Sequence, residues 1–210
     1  MSDTPLLRVR GLTRRYGDFT VLDRIDLDLA PGRAIALRGR NGSGKSTLLR
    51  CLTGLDKPDK GTVTFDGTPY DERSSRLRRD VAVVLDDLDF FPDLSVVEHL
   101  DLLAAAHRVP DAETVVDDVL REVKLIPQSG QLPTTLSSGQ RRRLSLASAF
   151  VRPRRLLVLD EPEARLDTEG AEWLADRLTK EKEDGLAILF ASHSPALIEA
   201  VADEVLDLGG

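Results

Sequence analysis

Cysteine is almost absent from this chain of 210 residues, in which Cys51 is the only one. The sequence therefore excludes an internal disulfide and a cysteine cluster for a metal, and we expect Cys51 to pack inside a helix. Apolar runs are short as well, because none approaches the roughly 18–20 uninterrupted apolar residues of a membrane span. Residues 1–5 contain no basic stretch followed by an apolar one, as a secretory signal would. We therefore expect a chain that stays in the cytosol.

Positive charge is also in deficit, since the formal net charge is −7 at pH 7. An acidic balance disfavours a broad surface for nucleic acid, so no nucleic-acid partner is expected. Two groups of basic residues nevertheless stand out, namely Arg141, Arg142 and Arg143, and then Arg152, Arg154 and Arg155. We interpret both groups as a solvated helix face and loop; contact with an anion or RNA is the alternative.

Apolar and polar residues alternate in the early part of the chain, in residues 6–10 and 21–29. Residues 61–67 add a third short segment between turn residues. Alternation is typical of strands with one buried face, so these segments predict an antiparallel sheet.

Later segments are apolar without interruption, in residues 81–85, 156–159 and 187–190. Such runs indicate strands buried on both faces, and hence a parallel sheet flanked by helices, with a last strand at residues 204–208. Between residues 86 and 150 the period changes to that of helices, at 96–107 and 113–124. The sequence therefore predicts an α/β core into which a mostly helical segment is inserted.

A glycine-rich stretch follows the apolar residues 34–37 and leads into a helix-like segment at 48–52. It consists of Gly39, Arg40, Asn41, Gly42, Ser43, Gly44, Lys45, Ser46 and Thr47. Glycines let successive backbone N–H groups face a polyphosphate, and the helix start adds free N–H groups and a positive dipole end. In such a P-loop, Lys45 reaches the β/γ-phosphates and Ser46 binds Mg²⁺. A chance match is the alternative, and the strand before and helix after argue against it.

Two carboxylates, Asp160 and Glu161, stand where a buried strand ends, at the edge on which parallel sheets carry ligands. We expect Asp160 to hold Mg²⁺ through water. Glu161 is expected to point to the opposite side of the strand and polarise an attacking water. The alternative is that these are ordinary acidic residues at the end of a strand before Pro162. The presence of a P-loop in the same chain favours the metal site.

A further motif lies between the P-loop and the acidic strand end, formed by Leu136, Ser137, Ser138, Gly139 and Gln140. It resembles the LSGGQ signature of ATP-binding cassette (ABC) ATPases, with Ser138 replacing a glycine. Ordinary helix capping after Pro133 is the alternative. Other positions match the same family in order: Tyr16 resembles its adenine-stacking aromatic, Asp167 its D-loop aspartate and His193 its switch histidine. Taken singly, Tyr16 could be a packing aromatic and His193 a surface loop histidine.

The resemblance implies a P-loop NTPase fold of the ABC ATPase type, with an N-terminal antiparallel β subdomain and an inserted helical subdomain. Residues 1–210 would form one domain, with residues 1–85 and 151–210 as the catalytic core. Residues from about 86 to 150 would be the helical subdomain that carries the signature motif.

It also implies a head-to-tail dimer, in which ATP on one subunit's P-loop is covered by Ser137, Ser138 and Gly139 of a second subunit. Glu161 would act on the water, His193 would contact the γ-phosphate, and Asp167 would link hydrolysis to the dimer interface. Whether the second subunit is identical stays open.

One position departs from the family. Where the family carries a glutamine that touches Mg²⁺ and the attacking water, this chain has Asp86. An aspartate can bind the metal but adds an anion next to Asp160, Glu161 and ATP. Asp86 therefore either retains the metal-sensing role with altered dependence on Mg²⁺, or is a solvated loop acid without that role.

The expected function is that of the ATP-binding and ATP-hydrolysing subunit of an ABC transporter, with ATP and Mg²⁺ as cofactors. Its partners would be separate transmembrane permease subunits. They would dock on the helical segment from about Phe90 onward, together with the Asp86 loop, and hold the chain on the inner face of the cell membrane. The short chain resembles the ATPases of haem-exporter-like systems, which favours export. The alternatives are an ABC ATPase that transmits force to a membrane or cell-wall partner, and a hydrolytically weak dimerisation module.

Overall fold

The computed structural model describes residues 4–71, 73–85 and 89–209. These residues form nine β-strands and seven α-helices. The strands are β1 (Leu7–Tyr16), β2 (Phe19–Leu29), β3 (Ala34–Arg38), β4 (Lys60–Phe65), β5 (Thr68–Pro69), β6 (Val81–Val84), β7 (Leu156–Asp160), β8 (Ala187–Ala191) and β9 (Glu204–Asp207). The helices are α1 (Lys45–Leu52), α2 (Ser75–Asp80), α3 (Val96–Ala106), α4 (Ala112–Glu122), α5 (Ser138–Phe150), α6 (Thr168–Glu183) and α7 (Pro195–Val201).

An antiparallel sheet with strand order β2-β1-β4-β5 contains the alternating segments, as the sequence predicts. Tyr16 pairs with Phe19, so the hairpin between β1 and β2 turns on two residues, of which Gly17 has φ +60°. The strand β1 extends well beyond the predicted residues 6–10. The reason is that the register shifts after Val9, while the pairing with β2 continues. Bulges interrupt the alternation of apolar and polar residues, so the pattern does not reveal the full length of the strand.

A parallel sheet with strand order β6-β7-β8-β3-β9 contains the uninterrupted apolar runs. Both faces of this sheet are buried. Ala34 and Ala36 belong to a core shared with α3–α6, whereas Ile35 and Leu37 face a second core shared with α1 and the antiparallel sheet. Burial on both faces explains why the runs are apolar at every position. Each fully buried large apolar side chain contributes about 1.5–3 kcal/mol.

The helices α3, α4 and α5 pack on one another. Predicted segments 96–107 and 113–124 correspond closely to α3 and α4. Each helix is followed by a residue in the left-handed region, Arg108 at φ +53° and Lys124 at φ +58°. In the part of the chain that the structure describes, no helix combines the length and apolarity that crossing a bilayer requires.

Candidate nucleotide site

The glycine-rich loop connects β3 to α1 at the carboxyl edge of the parallel sheet. Gly44 precedes the helix with φ +97°, and a Cβ atom there would lie 2.9 Å from side-chain atoms of Val21 and Leu22. A Cβ at Gly39 would collide with the Leu208 carbonyl oxygen and the Ser43 hydroxyl. These two glycines therefore allow the loop to pack tightly while Arg40, Asn41 and Gly42 stay exposed. Ser46 is exposed and Thr47 half-buried in the first turn of α1.

Lys45 lies inside this loop rather than in solvent, at 5% exposure. Its Nζ donates hydrogen bonds to the carbonyl oxygens of Gly39 at 2.9 Å and Arg40 at 3.2 Å. Among the residues that the structure describes, no carboxylate forms an ion pair with it, and the buried Ser43 hydroxyl has no hydrogen-bond partner. A buried cation without a counter-ion is costly, and a bound anion would compensate it. The loop therefore has the properties of a phosphate receptor.

Glu161 and His193 meet at the same edge of the sheet. Asp160 ends β7 at 6% exposure, and His193 follows the neighbouring strand β8. The His193 Nε2 atom lies 3.4 Å from Glu161 Oε1, and both side chains are more than 40% exposed. The expectation that Glu161 points to the opposite side of the strand from Asp160 stays a prediction. β7 ends at Asp160, and Glu161 has φ +45°, a strained value for a residue with a side chain.

A buried arginine holds this acidic edge from behind. Arg142 on α5 is 3% exposed and donates hydrogen bonds to the main-chain carbonyl oxygens of Asp160, Glu161 and Pro162. Arg154 is similarly buried, with its guanidinium paired to Glu181. The interpretation of both arginine groups as solvated is therefore wrong at these two positions. No local pattern distinguishes Arg142 from exposed Arg141, because its partners lie about twenty residues further along the chain.

The signature motif begins α5. Ser137 is the N-cap: its hydroxyl accepts from the Gln140 N–H at 3.2 Å, and Gln140 Oε1 accepts from the Ser137 N–H at 2.9 Å. Leu136 is buried, whereas Ser137 and Ser138 are exposed. A Cβ at Gly139 would lie 2.9 Å from the Arg165 carbonyl oxygen. Helix capping is thus present, and it leaves the serines and the helix start open to a second molecule.

Asp167 is the N-cap of α6 and also pairs with α5. Its carboxylate accepts from the Gly170 N–H at 3.0 Å and lies 2.8 Å from Arg143 Nη2. The hydrogen bond from Gly170 and the charge of Arg143 lower the pKa of Asp167. Within this chain, Asp167 connects the loop after β7 to the helix of the signature motif.

The predicted adenine-stacking residue Tyr16 contacts a separate pair of side chains, Asp56 and Arg14. Tyr16 is 49% exposed, its hydroxyl donates to Asp56, and the Arg14 guanidinium lies 4.4 Å from its ring centroid. One face of the ring is therefore occupied by Arg14, and stacking on adenine stays a prediction. Asp86 lies outside the described residues, so both hypotheses about it stay open.

The residues available to a metal are oxygen donors, namely the exposed Ser46 hydroxyl and the buried Asp160 carboxylate. Within residues 4–71, 73–85 and 89–209, no group of three or more His, Cys, Asp or Glu side chains could hold a metal by itself. Mg²⁺ takes oxygen ligands and commonly uses one or two protein groups together with substrate phosphates. The donor set therefore fits Mg²⁺ bound with a nucleotide.

A buried lysine in a glycine-rich loop, beside acidic and histidine side chains at one sheet edge, defines a P-loop nucleotide-binding protein. The sequence profile described as "ABC transporter" matches residues 22–164, and the chain belongs to this family. The resemblance drawn from the motifs is thereby confirmed.

The relatives include ATP-binding proteins that are named for import and others that are named for export. The chain is 33% identical to the SkfA peptide export ATP-binding protein SkfE of Bacillus subtilis, over 96% of this chain and 84% of that protein. It is 36% identical to the spermidine/putrescine import ATP-binding protein PotA of Pseudomonas aeruginosa, over 90% of this chain. The match covers 53% of PotA, so the chain spans about half the length of that relative.

Solved structures confirm the predicted fold class. An ATP-binding subunit of an ABC transporter superposes with a TM-score of 0.89 at 29% identity, over 97% of this chain and 85% of that one. A dimeric bacterial ABC transporter cassette superposes with a TM-score of 0.87 at 24% identity, over 96% of this chain and 94% of that one. At this identity the likeness shows the fold alone.

Proposed function

We propose that this chain binds and hydrolyses ATP and thereby powers transport by separate membrane subunits. The observation that carries the proposal is a juxtaposition at one edge of the parallel sheet. The neighbouring strands β7, β8 and β3 end there in Glu161, His193 and the loop that encloses Lys45. Anion receptor, base and hydrogen-bond donor thus converge where open parallel sheets carry ligands.

Each side chain has a role in this proposal. Backbone N–H groups of residues 39–47 and the Lys45 ammonium bind the β- and γ-phosphates. Ser46 and Asp160 hold Mg²⁺, which would neutralise charge on the phosphate oxygens. Glu161 orients the attacking water and accepts its proton, and His193 donates a hydrogen bond to the γ-phosphate.

The site is completed by a second ABC ATPase subunit in this proposal. The exposed Ser137 and Ser138 hydroxyls and the N-terminus of α5 would face the γ-phosphate bound by the other subunit. Asp167 would couple the formation of that contact to the position of the loop that contains Glu161. Exclusion of water by the second subunit would strengthen every charge interaction at the phosphates.

The variant Glu161→Gln tests the proposed chemistry. It keeps the size of the side chain but removes the base, so turnover should fall by about 10²–10⁴-fold while the Kd for ATP stays within about threefold. Phosphate release and nucleotide titration measure the two quantities. The matched control is Glu169→Gln, an exposed acid of α6 paired with Lys124, which should hydrolyse ATP normally. Hydrolysis by Glu161→Gln near the native rate would show that the role is misassigned.

Transmembrane permease subunits are the proposed membrane partners, docked where α3 and the segment before it expose apolar side chains. Phe91 is 51% exposed and Leu102 43% exposed. Such contact would hold the chain at the cytoplasmic face of the membrane. Export is the proposed direction, because SkfE, an export protein by name, is matched over most of its length.

Co-purification tests this docking surface. We expect a membrane subunit to accompany the native chain from its own cells and to be lost with Leu102→Asp. The control Leu55→Asp changes another exposed leucine, which follows α1 and is 58% exposed, and should retain the partner. Equal recovery with both variants would place the docking surface elsewhere.

A further inference from the structure

We propose that Glu163 is a positioning residue that holds the loop of His193 beside Glu161. Its Oε1 atom accepts a hydrogen bond from the Ser192 hydroxyl and lies 3.3 Å from the Ser194 N–H. Ser192 and Ser194 flank His193 on both sides. The same Ser194 N–H lies 2.9 Å from the Ser192 hydroxyl, so one carboxylate closes a small ring of hydrogen bonds around the histidine backbone.

Burial makes these bonds strong. Ser192 is fully buried, and Glu163 Oε2 is buried without a hydrogen-bond partner among the described residues. A carboxylate removed from water depends on the donors it retains, and hydrogen bonds to an ionised acceptor are about twice as strong as neutral ones. His193 itself is 43% exposed, and its side chain lies beside Glu161. Its position is therefore determined by its neighbours rather than by its own packing.

The other end of the link is the turn that contains Glu161. The Ala164 N–H donates to the Glu161 carbonyl oxygen at 2.9 Å, and the Leu166 N–H donates to that of Glu163 at 3.1 Å. Glu161 and Glu163 thus share one compact turn, which Arg142 holds at Pro162. Glu163 ties this turn to the His193 loop and fixes the 3.4 Å separation of the two proposed active-site groups. The inference rests on the proposed roles of Glu161 and His193.

Steady-state kinetics provide the first test. Glu163→Ala should lower kcat by about 10–100-fold, because small misplacements of reacting groups cost that much, while the KM for ATP changes by less than about threefold. Glu163→Gln retains a carbonyl oxygen for both donors and should recover most of the activity. Glu169→Ala is the control and should behave as wild type. Unchanged kcat in Glu163→Ala, or no rescue by glutamine, would overturn the proposal.

A double variant tests whether Glu163 acts through the serine. If the two side chains form one link, Glu163→Ala with Ser192→Ala loses no more activity than Glu163→Ala alone. If the double variant instead loses more activity than Glu163→Ala, by the product of the two single effects, Glu163 and Ser192 do not act as one link. These variants also separate the inference from the proposed function: if Glu161→Gln hydrolyses ATP normally, the assignment of the base fails, whatever Glu163 does.

A spectroscopic readout is independent of turnover. The chain has three histidines, so the ring C2–H signals can be resolved by NMR. Glu163→Ala should shift the His193 signal and leave those of His99 and His107 in place, which would also show that the fold is intact. A His193 signal identical to that of the wild type would contradict the positioning role.

Discussion

Arg142 shows at the scale of single residues how the site depends on a buried charge bonded to the main chain. Its guanidinium satisfies three carbonyl oxygens at the end of β7, where Glu161 adopts its left-handed conformation. Sequence motifs identified Lys45, Glu161 and His193 as candidates because each has a fixed place in a local pattern. Arg142 and Glu163 were missed, because their partners lie 18 to 31 residues away and no local pattern marks them.

Replacing Arg142 tests its structural role. Arg142→Met retains an apolar stem but leaves carbonyl oxygens of Asp160, Glu161 and Pro162 without their donor. We expect the free energy of unfolding to fall by about 2–4 kcal/mol, since each unsatisfied buried group costs about 1–3 kcal/mol. Urea unfolding measures the change. The control is Arg141→Met, at the adjacent exposed residue, which should change the free energy of unfolding by no more than about 0.5 kcal/mol. Equal effects of the two variants would contradict the structural role of Arg142.

Whole elements were predictable where their signals are local. Capping boxes begin both α3 and α5, with Ser95 and Glu98 in one and Ser137 and Gln140 in the other. The apolar period then predicts the extent of α3 to within about a residue. β1 was underestimated because bulges disrupt its alternation, and strand order could not be predicted because it depends on pairing between distant segments.

Helix α3 carries a buried histidine that should make stability depend on pH. His99 is 3% exposed, its Nδ1 has no hydrogen-bond partner among the described residues, and its ring packs against Phe90 and Phe91. Burial lowers the pKa of His99 below its usual range. As pH falls below about 6.5, the unfolded chain takes up a proton at this position before the folded chain does, so stability decreases.

Substitution of His99 should remove that part of the pH dependence. In His99→Leu, the melting temperature should fall less between about pH 7.5 and 5.5 than in the wild type. Thermal unfolding by circular dichroism at several pH values gives both slopes, and the wild type in the same buffers is the reference. Parallel curves for the two proteins would show that His99 contributes nothing to the pH dependence.

For the whole molecule, the parallel sheet determines which motifs can act together. The order β7-β8-β3 places the loops of Glu161, His193 and Lys45 side by side, although the P-loop and Glu161 are more than a hundred residues apart in sequence. The signature serines are exposed at the start of α5 and form no described contact with the P-loop of their own chain. In the proposed dimer, a second subunit brings these serines to the nucleotide.

Disulfide trapping between two differently tagged chains tests whether the serines of one subunit reach the P-loop of another. One chain carries Asn41→Cys and the other Ser138→Cys. Burial raises the pKa of the native Cys51 thiol to about 11, so it stays protonated and does not compete. A third chain with Asp118→Cys, on the exposed face of α4, is the control. The account predicts a cross-linked pair of the first two chains that requires a non-hydrolysable ATP analogue, and none with the control. No cross-link above the nucleotide-free level would contradict it.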